Sequence, residues 1–355
     1  MRRPPSSRMR FFLFAAAALL VVVGPSALAQ DEGFLQEEEG SGLSLDRIAI
    51  PLDLPRPWGR GPLPLRDAMP LSAMRLALHP FSPDTALEGE PRGRVEATWS
   101  NTFLDNPDSL VDSESLRAAF EVRDGVADGV DAGIEIPVVF RGGGTLDSVA
   151  NFLHDAFGAP DGDRGESEDD RHEIVVIDDG RVSDLDSDSG LGDVIVSSKA
   201  RLHEDEDGLF AVALLTEMRL PTAADDLGAD GFDVGATLGL SARLLESVFV
   251  YGGAGGTWFS DDRHEGFRFE PFRGYGFAAI EWQIFDWASL LLQADAATPL
   301  LEGPDGLDGW QSYVHMGAVA DLGETTRLEL AFVENLEDQD ATADFALFAG
   351  VGFTF

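Results

Sequence analysis

Cysteine is absent from all 355 residues, so no disulfide staples this fold even in a compartment that would allow one. Basic side chains are scarce: 25 lysines and arginines stand against 64 aspartates and glutamates, a formal net charge of -39. Such a surface repels polyanions and attracts cations, which excludes nucleic acid as a partner and leaves divalent cations open. Long apolar runs are missing after the first thirty residues, and no later stretch reaches the ~18 residues of a spanning helix. If the chain enters a membrane there, it does so as strands.

The one apolar run, Phe11 to Val23, follows Arg2, Arg3, Arg8 and Arg10 and precedes Ala27-Leu28-Ala29. This is the layout of a cleaved secretory signal over 1–29. Residues 30–92 are expected to form a periplasmic N-terminal segment. Its first part, 30–61, is acidic and then proline-rich, and reads as flexible. The stretch 62–82 differs. Pro62-Leu-Pro-Leu65, Met69-Pro70-Leu71 and Met74-Arg-Leu-Ala-Leu78 are together too apolar for a loose tail. This piece should pack at the periplasmic mouth, inside a lumen, or as a short edge strand.

From residue 93 on, hydrophobicity alternates. The final segment, 345–355, places Phe345, Leu347, Ala349, Val351, Phe353 and Phe355 on one face, and the other face is small except for Phe348. Period two means a strand. The same pattern over 94–104, 116–123, 130–141, 191–203, 209–220, 232–243, 247–259, 273–284, 288–297, 313–321 and 326–333 brings the total to twelve, an even number as a single-chain bacterial barrel requires. The links after even strands are short and those after odd strands longer, which is the asymmetry between periplasmic turns and extracellular loops. The predicted fold is all-β, a transmembrane antiparallel β-barrel of about 12 strands in an outer membrane.

Charge placement follows the pattern. Glu135, Asp193, Lys199, Arg201, Glu217, Arg219, Arg327 and Glu329 fall opposite the apolar face of their strands. A lysine or arginine on the lipid face near the midplane costs about 2–4 kcal/mol, so these eight are candidate lumen-lining residues. With both signs present, they should form a network of pairs. The glycines of 252–256 and 274–276 leave the facing of the seventh and eighth strands ambiguous.

The link after the third strand is the longest. Leu146, Val149, Leu153 and Phe157 share one helical face, which predicts an amphipathic helix over 146–157. It could gate the outer mouth or simply pack on the barrel rim. His172–Ile177 and Gly180–Ser183 read as a small extracellular hairpin. Asp184-Leu-Asp186-Ser-Asp188 fails as an EF-hand, since Ser189 and Ile195 stand where glycine and an acid are needed, so no metal site is assigned. The clustered acids Asp161, Asp163, Glu166, Glu168, Asp169 and Asp170 could hold calcium or magnesium weakly or stand as a solvated acidic loop. No catalytic residue is assigned: of six histidines only His315 sits in a strand interior, with no serine partner in a hydrolase pattern. No cofactor is implied.

Several short motifs resemble a known group. Gly190-Leu-Gly-Asp-Val194, Arg219-Leu-Pro-Thr222, Val250-Tyr-Gly-Gly253, and Gly143-Gly-Thr-Leu-Asp147 followed by Phe152-Leu-His-Asp-Ala-Phe-Gly158 are similar to an uncharacterised outer-membrane β-barrel family, a bacterial domain of unknown function related to the phenol-degradation meta-pathway barrels. The resemblance spans residues 62–355. It implies a barrel in the outer membrane of a Gram-negative bacterium and a transport role for small, hydrophobic molecules. The C-terminus also resembles outer-membrane barrels in which a terminal phenylalanine is read by the barrel-assembly machinery, which marks Phe353 and Phe355 as an assembly signal. Membrane lipid and that machinery are the expected partners. Two functions remain open: passage of a small molecule, which an unobstructed lumen would favour, and a structural or interaction role with cation-binding loops, which a lumen packed with paired charges would favour.

Overall fold

In the computed structural model the described residues are 59–144, 171–178, 181–303, 306–336 and 341–355. Twelve strands form the barrel: β1 (Arg92–Asn106), β2 (Ser109–Ala127), β3 (Val130–Gly142), β4 (Ile195–Glu204), β5 (Phe210–Arg219), β6 (Asp233–Leu245), β7 (Val248–Phe259), β8 (Phe272–Phe285), β9 (Ala288–Ala297), β10 (Gln311–Asp321), β11 (Thr326–Asn335) and β12 (Phe345–Thr354). Each pairs antiparallel with its sequence neighbour, and β12 also pairs with β1 from Arg92↔Thr354 to Asn101↔Phe345. The sheet is closed, so its ladder has no free edge.

The faces are those of a barrel in lipid. Along β6, Val234, Ala236, Leu238 and Leu240 point outward and are exposed, while Gly235, Thr237, Gly239 and Ser241 are buried inside. Ile280, Trp282, Leu290, Leu292, Met316 and Leu330 continue the outer belt. A water-soluble barrel would leave this belt unpaired. Aromatics gather at its margins: Trp258, Phe272 and Trp310 near the long loops, and the stacked Phe285 and Trp287 at a short turn. Rings at both edges suit the membrane interfaces.

Two expectations from the sequence change. The link after β1 is no loop. β1 and β2 continue as a hairpin to the two-residue turn at Pro107 and Asp108, and residues 109–115 are strand. Their side chains, Ser109, Asp112, Ser113, Glu114 and Ser115, are buried although polar, so the stretch shows no hydrophobic alternation. The outer strands Glu173–Asp178 and Arg181–Asp184 form a hairpin whose first strand pairs onto it. The fourth strand begins at Ile195 instead of 191, because Pro137 has no N–H to continue the ladder. Gly192 N donates to Pro137 O (2.9 Å), and Asp188–Leu191 pairs with β3 beyond that break. The helix over 146–157, the acidic cluster 161–170 and the signal over 1–29 lie outside the described residues. Among those described the only helices are single 3-10 turns.

Candidate functional site

The lumen is occupied by the chain's own N-terminal segment. Residues 59–86 enter at the short-turn end, cross to the long-loop end, turn at the 3-10 helix Ser72–Met74, and return to begin β1 where they came in. Pro62, Pro64, Pro70, Pro80 and Pro83 keep this stretch out of the ladder, and among the described residues the first bridge to a wall strand comes just past its end, at Glu88↔Gly125. Side chains fix it instead. Leu63, Leu65, Met69, Leu71 and Met74 are buried in one apolar cluster with Val319, Val333 and Phe348, which accounts for the single large residue on the inner face of β12.

Three arginines mark the path. Arg60 lies at the short-turn end, where its Nε donates to Asp321 (2.8 Å), its Nη1 to Ser289 (2.9 Å) and its amide to Glu281 (2.9 Å). Arg327 Nη1 donates to the Arg60 carbonyl (2.6 Å). One turn further in, Gln293 brackets Leu63, accepting from its N–H (3.0 Å) and donating to its carbonyl (3.1 Å), in place of a ladder partner. At mid-height Arg66 Nη2 reaches Glu135 (2.9 Å) and Glu217 (2.6 Å), while Nη1 donates to Ala77 O (2.6 Å) on the returning leg. At the apex Arg75 Nη1 pairs with Asp233 (3.2 Å), and its guanidinium lies 4.3 Å from the Phe269 ring centre and 5.0 Å from that of Phe259. Among small wall residues, Gly239 leaves room for Phe81: a Cβ there would sit 2.7 Å from Phe81 Cζ.

The eight charges singled out in the sequence take these positions. Glu135 and Glu217 meet on Arg66, and Glu135 is also paired with Arg117. Arg219 pairs with Asp193 and, at 2.5 Å, with Asp233. Lys199 Nζ donates to Ser82 O of the hairpin (3.3 Å), with Asp131 at 3.7 Å. Glu329 pairs with Arg94. Arg327 reaches Asp321 (3.2 Å). Arg201 stands apart near the short-turn rim, paired locally with Glu204 (3.0 Å). His315 Nε2 lies 2.6 Å from Asp295 Oδ2. Sequence reasoning missed Arg60, Arg66 and Arg75, and their pairing with Glu281, Asp321 and Asp233. The signal was there: Arg66 and Arg75 inside an apolar stretch with Arg60 just ahead of it, and isolated acids in strand interiors.

Two cavities between hairpin and wall hold about 20 Å³ each, near Tyr275 and near His315. Each admits about one water. A larger depression, about 520 Å³, opens on the membrane face over β8 and β9. Gly274, Gly276, Ala278, Ala294 and Ala296 form its floor and Trp310 stands at its edge. The glycines of β7 and β8 thus resolve into two faces; on the inner one Gly253 is held to glycine by the Phe277 ring, 2.4 Å from where a Cβ would lie.

The family described as "protein of unknown function (DUF3187)" matches residues 54–355. The chain belongs to that family. No curated protein matches it by sequence. Among solved structures it is similar to the COG4313 outer membrane channel from Pseudomonas putida F1, at 15% identity and a TM-score of 0.51 over 76% of this chain and 96% of that one. It is similar also to the NanC porin (9% identity, TM-score 0.44, 75% and 100% covered) and to the Pseudomonas putida toluene transporter TodX (10%, 0.34, 75% and 88%). The first of these shows the fold, a twelve-stranded barrel of the outer-membrane kind, as the sequence motifs implied.

Proposed function

We propose that this protein is an outer-membrane channel shut by its own N-terminal hairpin, and that passage requires the hairpin to move. The observation that carries the reading is the placement of both hairpin legs in the same mouth, held by side chains and not by the ladder. An element so placed withdraws without unthreading and without opening the barrel. A structural barrel with a permanently filled lumen is the second reading, favoured by the buried ion pairs that cross from hairpin to wall.

Planar-bilayer conductance of the refolded protein separates the two. The triple variant R60A/R66A/R75A should open far more often than the parent. A cysteine pair at Leu63 and Gly317, where a Cβ would lie 2.4 Å from Leu63 Cδ1, should hold the parent silent until reduced. If the triple variant is folded, its hairpin is cleavable by added protease, and it still carries no current, the channel reading fails and the structural one stands.

The solute we assign is small and apolar, on the support of the membrane-facing depression. An apolar aromatic compound should quench Trp310 fluorescence saturably in detergent solution, and the signal should vanish in W310F. Quenching that rises linearly without saturation would count against a defined apolar site.

A further inference from the structure

We propose that Asp226, His264 and Glu265, joined by Asp230, form a binding site for a divalent transition metal at the long-loop end. Among the described residues one donor atom from each of the first three lies within 4.8 Å of the others. Acids gathered on a loop would mean little in so acidic a chain. The histidine is what points to a ligand: His264 is 8% exposed, yet neither of its ring nitrogens has a hydrogen-bond partner. Buried imidazoles are almost always satisfied, and one with no protein partner beside three carboxylates is placed to ligate a cation. Asp230 Oδ2 stands 3.7 Å from Nδ1, too far for a hydrogen bond and near enough to become a fourth donor.

The donors come from two different connections. Asp226 and Asp230 belong to the link between β5 and β6, and His264 and Glu265 to the link between β7 and β8, at the turn of the short pair Arg263–His264 and Phe267–Arg268. Metal bonds of about 2.0–2.2 Å would draw the donors closer than they now stand, by rotation of exposed Glu265 and half-buried Asp226. Imidazole with carboxylates selects zinc and its first-row neighbours over calcium or magnesium, which prefer oxygen alone. The same two links hold the hairpin apex: Ala229 N donates to Met74 O (3.1 Å), and Arg75 Nη2 to Asp261 O (2.5 Å). A bound metal would cross-tie the clamp on the apex.

The test uses the full-length protein, refolded in detergent and stripped with chelator. Titration with zinc should give one saturable equivalent, and cobalt should show the visible absorption of a nitrogen-and-oxygen site. H264A should weaken zinc by more than the roughly 10–100-fold that losing an outer-shell partner costs, E265Q should weaken it less, and H172A, on another loop, should change nothing. E265Q alters an exposed side chain and so remains informative if H264A misfolds. Zinc affinity unchanged in both H264A and E265Q, or calcium displacing zinc at equal concentration, would overturn the site and leave only diffuse cation attraction.

Discussion

Arg66 ties three things together: Glu135 on β3, Glu217 on β5 and the carbonyl of Ala77 on the opposite leg of the hairpin. In R66M, Glu135 keeps Arg117, but Glu217 is left with His79 at 3.5 Å. Breaking a buried pair from one side costs about 3–5 kcal/mol, which urea titration of the detergent-folded barrel should register. A loss under about 1 kcal/mol would mean that water already screens the site. Outside the membrane, burial pushes the His172 imidazole below its ordinary 6.5, partly offset by the Leu185 carbonyl that accepts from it at 3.0 Å. The unfolded segment therefore binds a proton more readily than the folded one, and stability falls as pH drops below about 6.5. Hydrogen-exchange protection at Ile174 and Val176, corrected for the intrinsic rate, should fall between about pH 7 and 5 and lose that dependence in H172Q. At this scale the sequence was only partly legible. It could say that Glu217 and Arg219 avoid lipid; it could not say that their partners are Arg66 and Asp233, because pairing across a lumen depends on the register of strands far apart in the chain.

The strands were the most legible elements, since lipid outside and a crowded lumen inside enforce alternation on every one. The outer ends of β1 and β2 escaped notice because residues 109–115 are covered by other loops and feel neither environment. Closure of the sheet rests on β12 against β1, where the Phe353 ring lies over Gly93: a Cβ at Gly93 would be 2.2 Å from Phe353 Cε2. G93V should overpack this seam by about 1–3 kcal/mol and lower the temperature at which the heat-modifiable band converts on gels. G352A is its control, because a Cβ there meets nothing nearer than 3.9 Å. Equal behaviour of the two variants would remove the seam from the account.

Taken whole, the molecule balances an acidic wall against a hairpin that brings Arg60, Arg66 and Arg75 to Asp321, Glu217 and Asp233. With the hairpin withdrawn those acids would face a wet lumen. The current through R60A/R66A/R75A should then be cation-selective, read as the sign of the reversal potential across a potassium chloride gradient; anion selectivity would contradict the proposed opening. The hairpin's apolar content was visible from the sequence, but its route was not, for nothing local distinguishes a segment that lies under a barrel from one that runs through it.

Because both hairpin legs leave by one mouth, the segment has a direction of mechanical weakness. Tension on the chain ahead of Gly59 falls first on Arg60 and its contacts with Asp321 and Ser289, then on Gln293, then on Arg66, one after another. The β1–β12 ladder is loaded only after these have given way. The barrel thus carries a ripcord: contacts peel singly at low force, where shearing them together would need far more. Pulling the N-terminus of a membrane-held barrel by force microscopy should release about 110 Å of chain before any strand leaves the sheet, and a first rupture that already removes β1 would show that hairpin and wall are one mechanical unit.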